Sequence, residues 1–259
     1  MLKKILKFIS FFLRRIGFNP RIIWSYKYFP KFIKNKRQWL KQGGKITKNL
    51  MILNDYYENA GKAKGHYFHQ DLLVAKLIYE HKPKRHLDIG SRVRGFVAHV
   101  ASFRSIEVID IRPLGRSVHE NIKFRQGNLM QPQDIEETDS ISCLHAVEHF
   151  GLGRYNDPID TEGHNKAITN LISLISPNGR LYISFPIGKS DQIHFNAHRV
   201  FHPLTIFNHP SIEKYMKLVR FDYVDDDGDL HTNSDVNNIE SEINFGCGIY
   251  TFKKINNIE

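Results

Sequence analysis

From residue 66 onward, short apolar runs alternate with segments of about ten residues whose apolar positions recur at helical spacing. "HYFHQDLLVAKLIYEHK" reads as a helix ended by Pro83, and "RHLDIG" as a strand running into a glycine. "GFVAHVASF" continues as helix, and "IEVIDI", "IKFRQGNL" and "SISCLHA" as strands. "NKAITNLISLI" is a helix closed by "SPNG", followed by the strand "RLYISFPIG". A last helix, "HPSIEKYMKL", precedes two strands, "KLVRFDYVDD" and "FGCGIYTFKK", with no obvious helix between them. Such alternation predicts a doubly wound α/β fold: a mostly parallel sheet with an antiparallel C-terminal hairpin at one edge. In these sheets ligands bind beyond the carboxyl ends of the strands, near the point where strand order reverses. Functional residues are therefore expected just after each apolar run.

Charge divides the chain differently. The first 50 residues hold ten Lys and four Arg and no acid, since the first carboxylate is Asp55. That leaves 23 bases against 27 acids in the remainder, so the excess of base belongs to the N-terminus. Residues 1–50 are read as a basic, aromatic-rich arm and 51–259 as the α/β domain. A nucleic-acid-binding domain would carry its positive charge across the folded surface, so nucleic acid is not expected as a partner. "MLKKILKFISFFLRRIG" places Leu2, Ile5, Leu6, Ile9, Phe12, Leu13 and Ile16 on one helical face and is too short and too charged to span a bilayer. Two readings of residues 1–42 stay open: contact with an anionic membrane surface, or packing on protein, either its own domain or a second subunit. Cys143 and Cys247 lie in apolar runs, form no disulfide framework, and are expected to be buried in a reducing cytoplasm.

The carboxyl ends carry the chemistry. "LDIGSRVRGF" fails as a phosphate loop, because Phe96 and Val97 follow Gly95. It also fails as a dinucleotide fingerprint, because Arg92 occupies the middle glycine position. It does offer Asp88, a tight turn at Gly90, and, twenty residues beyond Gly90, Asp110, placed to accept from a ribose diol. Asn128 either reaches an adenine amine or closes a turn. After the fourth strand, "HAVEHFGLGRYNDPID" crowds His145, Glu148, His149, Arg154, Tyr155 and Asp157 together. "HAVEH" formally matches an inverted zinc-protease motif, but a strand end would point the rings of His145 and His149 apart, so no metal is expected. His149 is instead expected as an acid–base group oriented by Glu148 or Asp157. Arg154, Tyr155, His198 and Arg199 are expected to hold an anionic acceptor.

These segments resemble class I S-adenosylmethionine-dependent methyltransferases, and more closely a methyltransferase-like family of unknown function found among bacterial surface-polysaccharide genes. Residues 55–205 carry the resemblance, with "GLGRYNDPIDTEGH" its most specific element, although Arg92 and Arg94 replace the later glycines of D-x-G-x-G-x-G. It implies S-adenosylmethionine as cofactor, with Asp88, Gly90, Ser91 and Gly95 near its methionine end. It further implies Asp110 and Ile111 at the ribose, Asn128 and Leu129 at the adenine, and His145 by the sulfonium. The expected reaction is methyl transfer to a sugar or nucleotide-linked glycan by a cytoplasmic enzyme. Two other readings are a sugar-modifying or glycosyl-transferring enzyme on the same fold, and a scaffold of a polysaccharide assembly complex.

Overall fold

The computed structural model describes residues 20–115, 119–239 and 243–255, and the amphipathic stretch at residues 2–16 lies outside them. The chain divides into two compact units, Met1–Lys62 and Ala63–Glu259. In the first, helix α1 (Pro20–Ser25) leads through a single 3-10 turn to α2 (Phe29–Lys41), which tolerates Pro30 in its first turn because an N–H there needs no intrahelical acceptor. Lys27 lies over the Trp24 and Tyr28 rings and Lys31 over Tyr56. Basic and aromatic side chains thus share one surface, with Trp24 and Trp39 exposed. No helix among the described residues is long and apolar enough to cross a membrane.

The second unit is built on one eight-stranded sheet. Helix α3 (His66–His81) ends where Lys82 turns left-handed ahead of Pro83. Strand β1 (Leu87–Ile89) follows, then a five-residue π-helical turn and the short α4 (Ala98–Ala101). Strands β2 (Ile106–Asp110), β3 (Ile122–Gln126) and β4 (Thr138–Leu144) come next. Helix α5 (Gly163–Ser173) leads to β5 (Ile175–Ile187). Strands β6 (Gln192–His194) and β7 (His198–Val200) form a separate hairpin, followed by α6 (Pro210–Tyr215). The chain closes with β8 (Met216–Val224), β9 (Leu230–His231) and β10 (Gly246–Lys254).

The sheet order is β3-β2-β1-β4-β5-β10-β8-β9. The first five strands run parallel, and β10 is antiparallel to both β5 and β8. The expected C-terminal hairpin sits at that end of the sheet, with the final strand inserted between β5 and β8. Strand order reverses between β1 and β4, which opens a crevice at their carboxyl ends. The central strands are buried on both faces, and successive side chains enter opposite cores. Leu87, Ile89, Ile141, Leu181 and Ile183 join Ala167 and Leu171 of α5 in one core. Ile106, Val108, Tyr182 and Ile249 join Val74 and Ile78 of α3 in the other. The expected helix over "GFVAHVASF" is broken at Gly95, whose φ of −118° and ψ of −114° no helix contains.

Candidate functional site

Four strand ends frame the crevice. Gly90 has φ +75°, and a Cβ there would come within 2.9 Å of the Ala146 Cβ, so the turns after β1 and β4 touch. His145 has φ +48°, a left-handed conformation uncommon for a residue with a side chain and concentrated at functional sites. It turns the chain out of β4 into a 3-10 turn, Val147–His149. A narrow cleft lies between them, lined by Gly90, Asp110, Ile111, Asn128, Leu129, His145, His149, Tyr155 and Asp157 among others. An adjoining recess takes in Tyr67, Ser91, Arg92 and Arg112. Gly95 lines a shallower groove beyond it, pressed so close to the Asp71 carboxylate that a Cβ would fall 2.7 Å from Oδ2.

Asp110 stands at the cavity wall, and Arg112 grips it. The Arg112 backbone N–H and Nε both donate to Oδ1, at 2.8 and 2.9 Å, and Nη2 donates to Oδ2. Arg112 also lies over the Tyr155 ring at 4.5 Å. A ribose diol at Asp110 therefore shares the carboxylate with a cation, or displaces it. An ionised carboxylate offers about four acceptor positions, of which Arg112 takes three. Arg112 escaped sequence reasoning, although an arginine two residues beyond the strand-end acid was the available signal. Asn128 Oδ1 accepts from the Met130 N–H at 3.0 Å, closing its turn while Leu129 forms the buried floor.

Asp88 requires a correction. It does not reach the cavity but lies fully buried beneath it, accepting from Ser91 N (3.2 Å), Ser91 Oγ (2.7 Å) and Ser142 Oγ (2.6 Å). Behind it His86 bridges Ser140 Oγ and Ser142 Oγ at 2.7 and 3.1 Å, its pKa pushed down to about 3 by burial. A relay Ser140 to His86 to Ser142 to Asp88 satisfies the hydroxyl and imidazole donors in one direction. Burial outweighs the serine hydrogen bonds and pushes Asp88 up to about 7. An unfolded Asp titrates near 3.9, so the fold binds a proton that the unfolded chain has already lost, and stability falls as pH rises from about 4 to 7. Asp88→Asn is expected to flatten that fall by about 2 kcal/mol between pH 5 and 7.5, read from denaturant midpoints at each pH. An unchanged slope would show that Asp88 is ionised in the native protein.

The loop after β4 gathers the acid–base groups. His149 Nδ1 lies 2.7 Å from the Ala197 carbonyl oxygen, which can only accept. Nδ1 therefore carries the proton and Nε2 an unshared pair. Glu148 Oε1 is 3.6 Å from that Nε2 and 2.8 Å from His145 Nδ1, so Glu148 is the carboxylate beside His149. Burial, reinforced by Arg154, holds His149 below the ordinary histidine range despite Glu148. Arg154 is exposed and donates to Ala197 O at 2.8 Å. Its guanidinium is 5.2 Å from the Tyr155 ring centre. His198 is edge-on to His149, with centroids 6.5 Å apart, and its Nε2 is 3.2 Å from His194 Nδ1.

Two expected roles here are corrected. Asp157 does not orient His149; it accepts from the backbone N–H groups of Gly151, Gly153 and Tyr155 at 2.8, 3.3 and 3.1 Å and so shapes the loop. Arg199 is buried and donates to Phe150 O at 2.7 Å, bracing the same loop from behind rather than facing an acceptor.

A family model described as "Caenorhabditis protein of unknown function, DUF268" matches residues 123–234. No curated protein matches the sequence. Among solved structures, N-methyltransferase NodS from Bradyrhizobium japonicum WM9 in complex with S-adenosyl-L-homocysteine is similar at a TM-score of 0.50 and 15% identity, covering 73% of this chain and 88% of NodS. The [4+2]-cyclase SpnF gives a TM-score of 0.52 at 15% identity, with coverage of 77% and 86%. An S-adenosylmethionine-dependent methyltransferase from Clostridium acetobutylicum ATCC 824 gives 0.50 at 11% identity, with coverage of 73% and 92%. With its parallel β3-β2-β1-β4-β5 core and the antiparallel strand beside β5, the chain has the fold of the class I S-adenosylmethionine-dependent methyltransferases.

Proposed function

We propose that this protein is an S-adenosylmethionine-dependent methyltransferase acting on a hydroxyl of an acidic or nucleotide-linked sugar. The observation that carries the reading is the cavity at the strand-order reversal, with a carboxylate on one wall and a neutral, buried histidine on the other. The chemistry of the lining suits the cofactor's adenosine: Ile111 and Leu129 offer apolar surface, and Asp110 offers the free acceptor position left by Arg112. Arg92, at the second glycine position, turns its guanidinium over the Tyr67 ring at 4.5 Å, where the ring face offsets its charge. When bound, the cofactor supplies an electrophilic methyl group on a sulfonium.

The remaining work falls to the loop. His149 accepts the acceptor's hydroxyl proton at Nε2, and Glu148, 3.6 Å away, stabilises the imidazolium that forms. Ala197 O holds the ring through Nδ1, fixing the tautomer with the lone pair on Nε2, 3.5 Å from Arg154 Nη1. Arg154 and Arg112 both lie over Tyr155, which lines the cavity; with Arg112 paired to Asp110, Arg154 is the cation left for an anionic acceptor. His149→Ala is expected to lower turnover about 100-fold or more, with S-adenosylhomocysteine affinity unchanged. The assay is product formation from S-adenosylmethionine with acidic, nucleotide-linked and neutral sugars in parallel. Equal turnover of the variant removes His149 as base, and a preference for neutral sugars removes the anionic acceptor.

A further inference from the structure

His145 holds a capacity that methyl transfer does not use. Its Nδ1 lies 2.8 Å from Glu148 Oε1, and an ionised carboxylate only accepts, so Nδ1 carries the proton and Nε2 presents a lone pair. Yet Nε2 is buried without a hydrogen-bond partner, in a residue only 9% exposed. A ring nitrogen of His66 and the Cys247 sulfur share this space, and the donor atoms of the three residues all lie within 4.8 Å of one another. Among the described residues this is the one such group of His, Cys or carboxylate donors. Its members come from the first turn of α3, the turn after β4 and the start of β10, far apart in sequence.

We propose that His66, His145 and Cys247 bind a Zn²⁺ ion. Two imidazoles and a thiolate suit zinc rather than the oxygen-seeking Mg²⁺ or Ca²⁺. Tetrahedral zinc with N at about 2.0–2.1 Å and S at about 2.3 Å sets its donors about 3.3–3.6 Å apart, so closure asks for movement of about 1 Å. The outer shell is in place, because Glu148 binds the far nitrogen of His145 as carboxylates do behind zinc-bound histidines. The His66 and His145 rings are stacked within 5° of parallel, centroids 5.3 Å apart, with Phe245 against His66, so binding also requires the His66 ring to rotate until both in-plane lone pairs meet one ion. Cys247 Sγ has long contacts to Gln70 Oε1 at 3.7 Å and Gly248 O at 3.8 Å, and it also interacts with the His145 ring. On binding, the Cys247 thiol releases its proton to solvent and the sulfur keeps the electron pair it donates; no redox step is involved. Three protein ligands leave a fourth position for water or an acceptor oxygen. The ion would tie α3, β4 and β10 together. In the sequence His145 pairs with His149 only formally, and no metal is expected there; the fold sets His145 instead beside His66 and Cys247.

The test uses the full chain, stripped with a chelator and reconstituted with Zn²⁺ or Co²⁺. One Zn²⁺ per chain is expected, and Co²⁺ should give tetrahedral visible bands together with a near-ultraviolet thiolate charge-transfer band. Cys247→Ser should abolish that band, while Cys143→Ala should retain it. Glu148→Gln should weaken Zn²⁺ binding about 10–100-fold. Substoichiometric metal in the reconstituted wild type overturns the proposal, as does a thiolate band that survives Cys247→Ser. S-adenosylhomocysteine binding is measured separately, so failure of either reading leaves the other standing.

Discussion

Replacing Gly151 by Ala is expected to destabilise the protein by about 3 kcal/mol or more and to abolish turnover. Gly151 has φ +79°, where an L side chain alone costs about 1–2 kcal/mol. Its added Cβ would fall 1.9 Å from the Asp160 carbonyl oxygen, and backbone cannot give way as a side-chain tip can. The loop is closed at this point by two hydrogen bonds: Asp160 N–H donates to Gly151 O at 3.0 Å, and Gly151 N–H donates to Asp157 Oδ2 at 2.8 Å. Gly163, at the start of α5, abuts it so closely that a Cβ there would lie 2.9 Å from the Gly151 Cα. Moving Gly151 thus disturbs both the loop that carries His149 and the helix that covers the core. For a unit of this size, about 3 kcal/mol corresponds to a fall of about 6–12 °C in Tm. Gly153→Ala serves as the comparison. Its φ is +71°, but its Cβ would meet the Ile159 Cδ1 at 2.7 Å, a movable methyl, so a loss of about 1–2 kcal/mol is expected. Equal losses at the two positions would show that the clash with Asp160 is not what fixes the loop.

Asp110→Ala is expected to weaken S-adenosylhomocysteine binding by about 100-fold. Hydrogen bonds to a charged acceptor contribute about 1.5–3 kcal/mol each, and 1.4 kcal/mol is tenfold in affinity. The effect on S-adenosylmethionine should be larger, because the substitution also frees the Arg112 guanidinium from its carboxylate. An unpaired cation in the recess repels a sulfonium but not the neutral thioether of the product. Arg112→Gln separates the two contributions: it leaves Asp110 fully available and should bind both ligands at least as tightly as the wild type. If Arg112→Gln loses binding instead, Arg112 is itself a ligand contact and the competition at Asp110 is misassigned. Calorimetry with both ligands reads all three proteins.

Much of the fold was legible because the alternation of apolar strands and amphipathic helices is a local signal. Pro83 marked the end of α3, and Asp110 and His145 fell at strand ends as expected. What was missed depends on contacts distant in sequence. Asp88 reads as a cofactor contact until Ser142, 54 residues on, is seen to bind it from the neighbouring strand. Arg199 reads as free until the Phe150 carbonyl takes it up. Asp157 reads as a partner of His149, because proximity in sequence says nothing of the three loop N–H groups that it satisfies. The insertion of β10 beside β5 brings Cys247 to His66 and His145, and no spacing along the chain announces that meeting. The break at Gly95 is likewise invisible to helical periodicity, since Phe96, Val97 and Val100 keep their apolar rhythm across it.

The central claim is that the crevice between β1 and β4 binds an adenosine-containing cofactor at Asp110. Titration of the full chain with S-adenosylhomocysteine in a calorimeter tests it most directly. Saturable single-site binding is expected, which S-adenosylmethionine competes for and Asp110→Ala largely removes. A folded wild type that binds neither compound, or an Asp110→Ala variant that binds as the wild type does, would contradict it.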